Sequence, residues 1–151
     1  MASHPKNLRL PLETYANPEL RFHIVIHAFP HITAFSPPVA DVLWELVLQQ
    51  RTRSDVELLA ACLMPDHLHW VLGPGRRNVA TFLDAWKSFS TRRTWSAGHT
   101  GVLWQPRWYD RAIGGQAELN DVINYVVWNP VTANLCEAPG DWPYTWVRPP
   151  M

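Results

Sequence analysis

The sequence predicts one α+β domain: an antiparallel sheet covered by helices, in the order β-α-β-β-α-β-α. Three observations predict it. Short runs rich in β-branched and aromatic residues alternate with longer runs of helical apolar period. Pro, Gly and Asn punctuate the joins. The chain has 151 residues, 47% of them hydrophobic, which suits a single domain with a sizeable core.

The run from Arg21 to Phe29 (RFHIVIHAF) reads as the first strand. Ser36 before Pro37-Pro38 signals a helix start, and this helix runs to about Gln50 with Val39, Val42, Leu43, Leu46 and Val47 inward. Val56 to Met64 is a second strand, and Pro65-Asp66 makes a tight turn. His67 to Leu72 returns as a third strand, ended by Gly73-Pro74-Gly75. Asn78 caps a helix to about Thr94. Val79, Phe82, Leu83, Trp86, Phe89 and Arg93 fall at helical spacing there, so that face is expected to be mostly core. Leu103 to Ile113 is a fourth strand, broken by Gly114-Gly115. A last helix spans about Gln116 to Asn129, where Pro130 opposes straight continuation. Prolines cluster early (Pro5, Pro11, Pro18) and late (Pro139, Pro143, Pro149, Pro150). Residues 1–20 are therefore expected as an extended segment, and 21–151 as one domain with a C-terminal tail.

Charge excludes little. Thirteen basic residues balance thirteen acidic ones, without the basic excess usual in nucleic-acid binders. The distribution is uneven, however. Arg76, Arg77, Lys87, Arg92, Arg93, Arg107 and Arg111 face only Asp84 and Asp110 across that stretch, which predicts a locally basic surface. Cys62 and Cys136 have no metal-like spacing and read as reduced thiols of a cytoplasmic protein. No run suggests a signal peptide or a membrane span. Most of the nine tryptophans are expected in the core, with one or two free to stack on bases.

His67 and His69 flank Leu68 on the third strand. Side chains alternate along a strand, so both imidazoles share one face while Leu68 and Trp70 face the packed side. Such a pair is either half of a metal site or two ordinary histidines. His23 and His27 also share a face, but four residues span about 13 Å of strand, too far for one metal, so they are assigned structural roles. His4, His31 and His99 are expected on the surface. On the last helix, Tyr125 and Asn129 lie one turn apart on one face. They offer a phenol and an amide oxygen, or simply a half-buried ring and a helix terminator.

Taken together, these segments resemble a known family. Met64-Pro65-Asp66-His67-Leu68-His69 resembles the histidine-hydrophobe-histidine strand of the HUH nuclease superfamily. Tyr125-Val126-Val127-Trp128-Asn129-Pro130-Val131-Thr132-Ala133 resembles the tyrosine helix of its single-tyrosine transposases of insertion-sequence type. Leu103-Trp104-Gln105-Pro106-Arg107-Trp108-Tyr109-Asp110-Arg111 is similar to the strand preceding that helix in the REP-associated tyrosine transposase branch, and Asp141-Trp142-Pro143 to that branch's tail. The resemblance covers roughly residues 20 to 146.

It implies a ferredoxin-like HUH nuclease fold and an enzyme that nicks single-stranded DNA beside a hairpin, REP-like or at an element end, and transfers the strand. Tyr125 would be the nucleophile, with His67, His69 and Asn129 binding Mg2+ or Mn2+. The protein would act as a monomer or homodimer, away from membranes. Arg107, Arg111 and Gln105, sharing a strand face with Tyr109, read equally as DNA contacts or as a solvated face. Lys87, Arg92, Arg76 and Arg77 are candidate phosphate contacts because they cluster. The departures are the neutral charge, Asn134 where a glycine is common, and Trp128 in place of a smaller or more polar residue. Two rivals remain: a retired transposase kept as a hairpin-binding regulator, and an unrelated hydrolase using Asp66, His67 and His69 without Tyr125.

Overall fold

A computed structural model describes residues 8–150. The readings made at His4 and Pro5 lie outside the described residues. The strands are β1 (Arg21–His27), β2 (Val56–Leu63), β3 (His67–Pro74), β4 (Tyr109–Ile113) and β5 (Thr145–Val147). The helices are α1 (Pro37–Leu48), α2 (Val79–Trp95) and α3 (Gln116–Thr132). The strands form one antiparallel sheet in the order β4-β1-β3-β2-β5.

Alternation along the central strands divides the molecule into layers. Phe22, Ile24 and Ile26 of β1 and Leu68, Trp70 and Leu72 of β3 point to one face, where α1 and α2 cover them. Trp70 is fully buried there, with Trp86 of α2 edge-on at 4.8 Å and Phe82 at 5.9 Å. Truncating it would cost about 3–5 kcal/mol by the usual cavity penalty. The opposite face carries a smaller cluster, in which Leu119, Val122 and Val126 of α3 pack on Leu59, Ala60, Cys62 and Val71. That face of the sheet also carries the four histidines of β1 and β3, which line an open cavity beside α3.

The helix starts follow the sequence. The Asn78 side chain accepts from the Thr81 N–H at 2.8 Å, a real N-cap for α2. Ser36 precedes the two prolines that open α1 but makes no side-chain cap, and α1 ends in a 310 turn over Gln49–Arg51.

Several expectations are corrected. The fourth strand begins at Tyr109 rather than Leu103. Pro106 lacks a ladder donor, and the preceding segment instead docks on the end of β1 through an isolated bridge between Ala28 and Trp104. The face of α2 drifts: Phe89 and Arg93 are exposed, and Ser90, Thr91 and Thr94 are buried in their place. The Trp104 indole donates to the Ser90 hydroxyl at 3.0 Å, which gives that buried oxygen a partner.

Helix α3 continues through Pro130 to Thr132. A proline so near the end removes one helical hydrogen bond but leaves few to break. The helix then closes with Leu135 N–H donating to Pro130 O and Asn134 N–H to Val131 O, both at 2.9 Å. Asn134 sits at φ 62°, the left-handed position such a cap requires. β5 adds a strand to the expected order, and its three residues are too short to show a period in the sequence. Within the segment expected to be extended, Leu12–Ala16 coils into a 310 turn whose Tyr15 is fully buried.

Candidate active site

The cavity of about 830 Å³ is lined by His67 and His69 from β3 and by Tyr125 and Asn129 from α3, so the four residues singled out on two distant segments meet. Strand register explains the histidine half. His67 stands directly opposite His27 on β1, and Val25 stands opposite His69. His23 is thus the diagonal neighbour of His69 on the same face.

These pairings produce close contacts. His23 Nε2 lies 3.0 Å from His69 Nδ1, with the rings nearly parallel at 12° and both residues buried. His27 and His67 stack at 5.0 Å between centroids. His67 Nδ1 lies 2.7 Å from the Asp66 carboxylate. Burial, reinforced by His67, His23 and His27, pushes His69 down to about 3. Burial and then Arg111 push His23 down to about 4. Burial and His67 also lower His27, against the pull of Asp66. His23 and His69 are therefore neutral near pH 7, the state a metal-ligating imidazole needs.

The tyrosine half comes from α3. Its inner face holds Leu119, Val122 and Val126, which leaves Tyr125 57% exposed at the cavity. Its ring stands edge-on to His23 at 5.9 Å and to His69 at 6.1 Å. Asn129, one turn on, lines the same wall. Trp128 is exposed, and nothing in the structure explains its choice over a smaller residue.

Among the described residues, no group of three His, Cys, Asp or Glu side chains converges on one point as a metal cluster. The donors nevertheless suit a divalent ion completed by an amide oxygen. The Nε2 atom of His69 is buried without a hydrogen-bond partner. With the Nδ1 atoms of both histidines engaged by His23 and Asp66, their Nε2 atoms are the ones left over for a cation, the usual pattern where a metal-binding imidazole hydrogen-bonds through its other nitrogen. The Asp66 carboxylate is thus engaged with His67 Nδ1.

The other candidates disperse. Tyr109 and Arg111 do share a face and line the cavity, and Arg111 donates to Glu118 at 2.7 Å. Gln105 precedes β4, and its side chain donates to the Ala28 carbonyl at 2.8 Å. Lys87 donates to the carbonyls of Gln105 at 2.6 Å and Pro106 at 3.0 Å, holding that loop, and burial lowers its pKa. Arg76, Arg77, Arg92 and Arg107 are exposed and outside the cavity wall. His31 is exposed, as expected, beside Phe29; His99 is partly buried and lies 3.3 Å from the Val102 carbonyl. The structural roles given to His23 and His27 missed their place in the cavity. Distance along one strand does not reveal that placement; pairing across strands does.

The class follows from the family model rather than from the geometry: the chain belongs to a transposase family, described as IS200-like, whose model matches residues 16–129. Among curated relatives, the REP-associated tyrosine transposase of Escherichia coli (strain K12) is 24% identical over 106 residues, covering 69% of this chain and 62% of that protein. A Haemophilus influenzae protein provisionally given the same description is 27% identical over 101 residues, covering 59% of this chain and 57% of its own length. The chain thus matches about six-tenths of the length of these relatives. The fold also matches a solved REP-associated tyrosine transposase bound to a REP hairpin, with a TM-score of 0.69 at 19% identity, over 87% of this chain and 78% of the other. The expected family and α+β fold are those found. No helix among the described residues is long and apolar enough to cross a membrane.

Proposed function

We propose that this chain is a metal-dependent single-stranded DNA endonuclease and strand transferase acting beside a DNA hairpin, with Tyr125 as its nucleophile. The observation that supports this most is the meeting of Tyr125 and Asn129 with His67 and His69 around one cavity. The solved relative bound to a REP hairpin supports the choice of substrate.

His67, His69 and Asn129 would hold Mg2+ or Mn2+, which when bound offsets the negative charge of the scissile phosphate. The remaining work falls to the chain. The exposed phenol of Tyr125 can reach a phosphate in the open cavity without moving the core. Its oxygen attacks phosphorus, the bond from phosphorus to the 3′-oxygen breaks, and the phenolic proton ends on that leaving oxygen. The products are a 5′-phosphotyrosine and a free 3′-hydroxyl, so the phosphodiester energy is conserved in the covalent bond. The 3′-hydroxyl of another strand can reverse the step without ATP. Arg111, which lines the same wall, would contact the DNA backbone.

The test is a denaturing gel of the protein incubated with hairpin-bearing single-stranded DNA and Mn2+. A covalent adduct is expected, absent in Tyr125→Phe and absent with EDTA. Tyr125→Phe should change stability by no more than about 0.5 kcal/mol, because the side chain is largely exposed. An adduct that persists in Tyr125→Phe would refute the assigned nucleophile. Hairpin-specific binding without any adduct would instead identify a retired transposase kept for binding.

A further inference from the structure

We propose that His23 is a positioning residue for the metal site, fixing both the ring orientation and the tautomer of His69. The inference rests on the reading of His67 and His69 as metal ligands. It starts from two facing nitrogens, His23 Nε2 and His69 Nδ1, 3.0 Å apart. At that distance one proton lies between them and one atom must accept.

The choice of donor decides what His69 offers the cavity. If His23 donates, the proton of neutral His69 sits on Nε2, an atom buried without a partner. An N–H there could not ligate a cation. If His69 donates from Nδ1, its Nε2 carries a lone pair instead, and a bound cation satisfies that otherwise orphaned atom. The second arrangement is the one compatible with a ligand, and it needs an acceptor where His23 Nε2 stands. A flip of the His69 ring would replace Nδ1 with carbon and lose the hydrogen bond, so the same contact also selects the orientation.

The surroundings make this contact a durable one. Both residues are buried, at 6% and 4% exposure, and their rings lie 5.2 Å apart at 12°. His23 is carried by β1, the strand paired with β3, so its place is fixed by the sheet ladder rather than by a loop. His67 has its own counterpart, with Nδ1 2.7 Å from the carboxylate of the adjacent Asp66. The two candidate ligands therefore have different orienting partners: a neighbour in sequence for His67, and a residue on another strand for His69.

The test combines tautomer spectroscopy with metal affinity on the full chain, in the absence of DNA. In metal-free protein, long-range 1H–15N NMR should show His69 protonated on Nδ1. Mn2+ titration followed by electron paramagnetic resonance should show binding about 10- to 100-fold weaker in His23→Phe, the usual loss for an outer partner. His23→Gln, which keeps an acceptor at similar reach, should recover most of it. Circular dichroism melting would verify that each variant is folded, and the wild-type tautomer is decisive even if His23→Phe is not. A His69 proton on Nε2 would overturn the proposal. So would a His23→Phe variant that binds Mn2+ as the wild type does while His69→Ala loses binding. A wild-type chain that binds no Mn2+ would remove the underlying metal reading, and this assignment with it.

Discussion

The hydroxyl of Tyr15 donates to the buried carboxylate of Asp110, tying the N-terminal 310 turn to edge strand β4. Arg9 adds a contact to the same carboxylate, Nε to Oδ1 at 2.5 Å. β4 also brings Tyr109 and Arg111 to the cavity, so this buried link supports one wall of the site from behind. Tyr15→Phe removes a donor from a buried charge and should cost about 1–3 kcal/mol in urea unfolding. The link also has an alkaline limit. Burial, and then the Asp110 carboxylate, push Tyr15 up to about 12, above the value of about 10 expected in an unfolded chain. A raised folded-state pKa gives stability that is complete below pH 10 and lost as pH rises towards 12. Wild type should therefore lose more stability than Tyr15→Phe between pH 10 and about 12. Parallel curves would show that Tyr15 does not contribute.

Asn134→Ala should destabilise the protein by about 1 kcal/mol, and Asn134→Gly should be neutral or slightly stabilising. The reason is the left-handed backbone at φ 62°, which disfavours a Cβ without a compensating polar group. The cap closes the turn that carries Asn129, two residues after which the Val131 carbonyl accepts from Asn134. Urea denaturation of the three proteins is sufficient to decide.

Arg111 and Glu118 make opposite predictions at the cavity. Their ion pair is largely exposed and so contributes little to stability. Removing the cation should weaken binding of a hairpin-bearing single strand, and removing the anion should strengthen it. Fluorescence anisotropy over a salt series should show the slope of log K against log salt reduced by about one in Arg111→Gln. Glu118→Gln should bind more tightly at low salt. An unchanged slope in Arg111→Gln would show that Arg111 touches no phosphate.

Much of this was legible from the chain because local signals agreed with the final packing. The hairpin around Pro65-Asp66 follows from turn chemistry, and the inward set of β3 from simple alternation. His67 and His69 share a face for the same reason, as Tyr125 and Asn129 do on α3. What escaped depends on pairing between distant segments. Nothing local to Arg21–His27 says that β1 will lie beside β3 with His27 against His67, so His23 and His27 looked isolated. The false start at Leu103 has a similar origin: Leu103 and Trp104 are fully core-like, but they dock on the sheet's end rather than joining the ladder. Phe89 and Arg93 keep helical spacing, yet the last turns of α2 are steered by Ser90 meeting Trp104, a tertiary contact. Lys87, counted with a basic cluster, turns inward for the same kind of reason, because two loop carbonyls face it.

The short β5 strand has a consequence for the margin of the sheet. β2 carries the sequence VELLAACL, nearly all of it buried, and is the sort of apolar strand that would recruit other chains if left at an open sheet margin. Residues 145–147 occupy that margin, the Trp142 indole anchors the approach by donating to Leu63 O at 2.9 Å, and Arg148 clamps Glu57 at 3.0 Å. Pro149 and Pro150 follow immediately, without backbone donors to extend the pairing. The segment thus covers the backbone edge of an apolar strand, and its small contribution to the core understates how much of that edge it occupies.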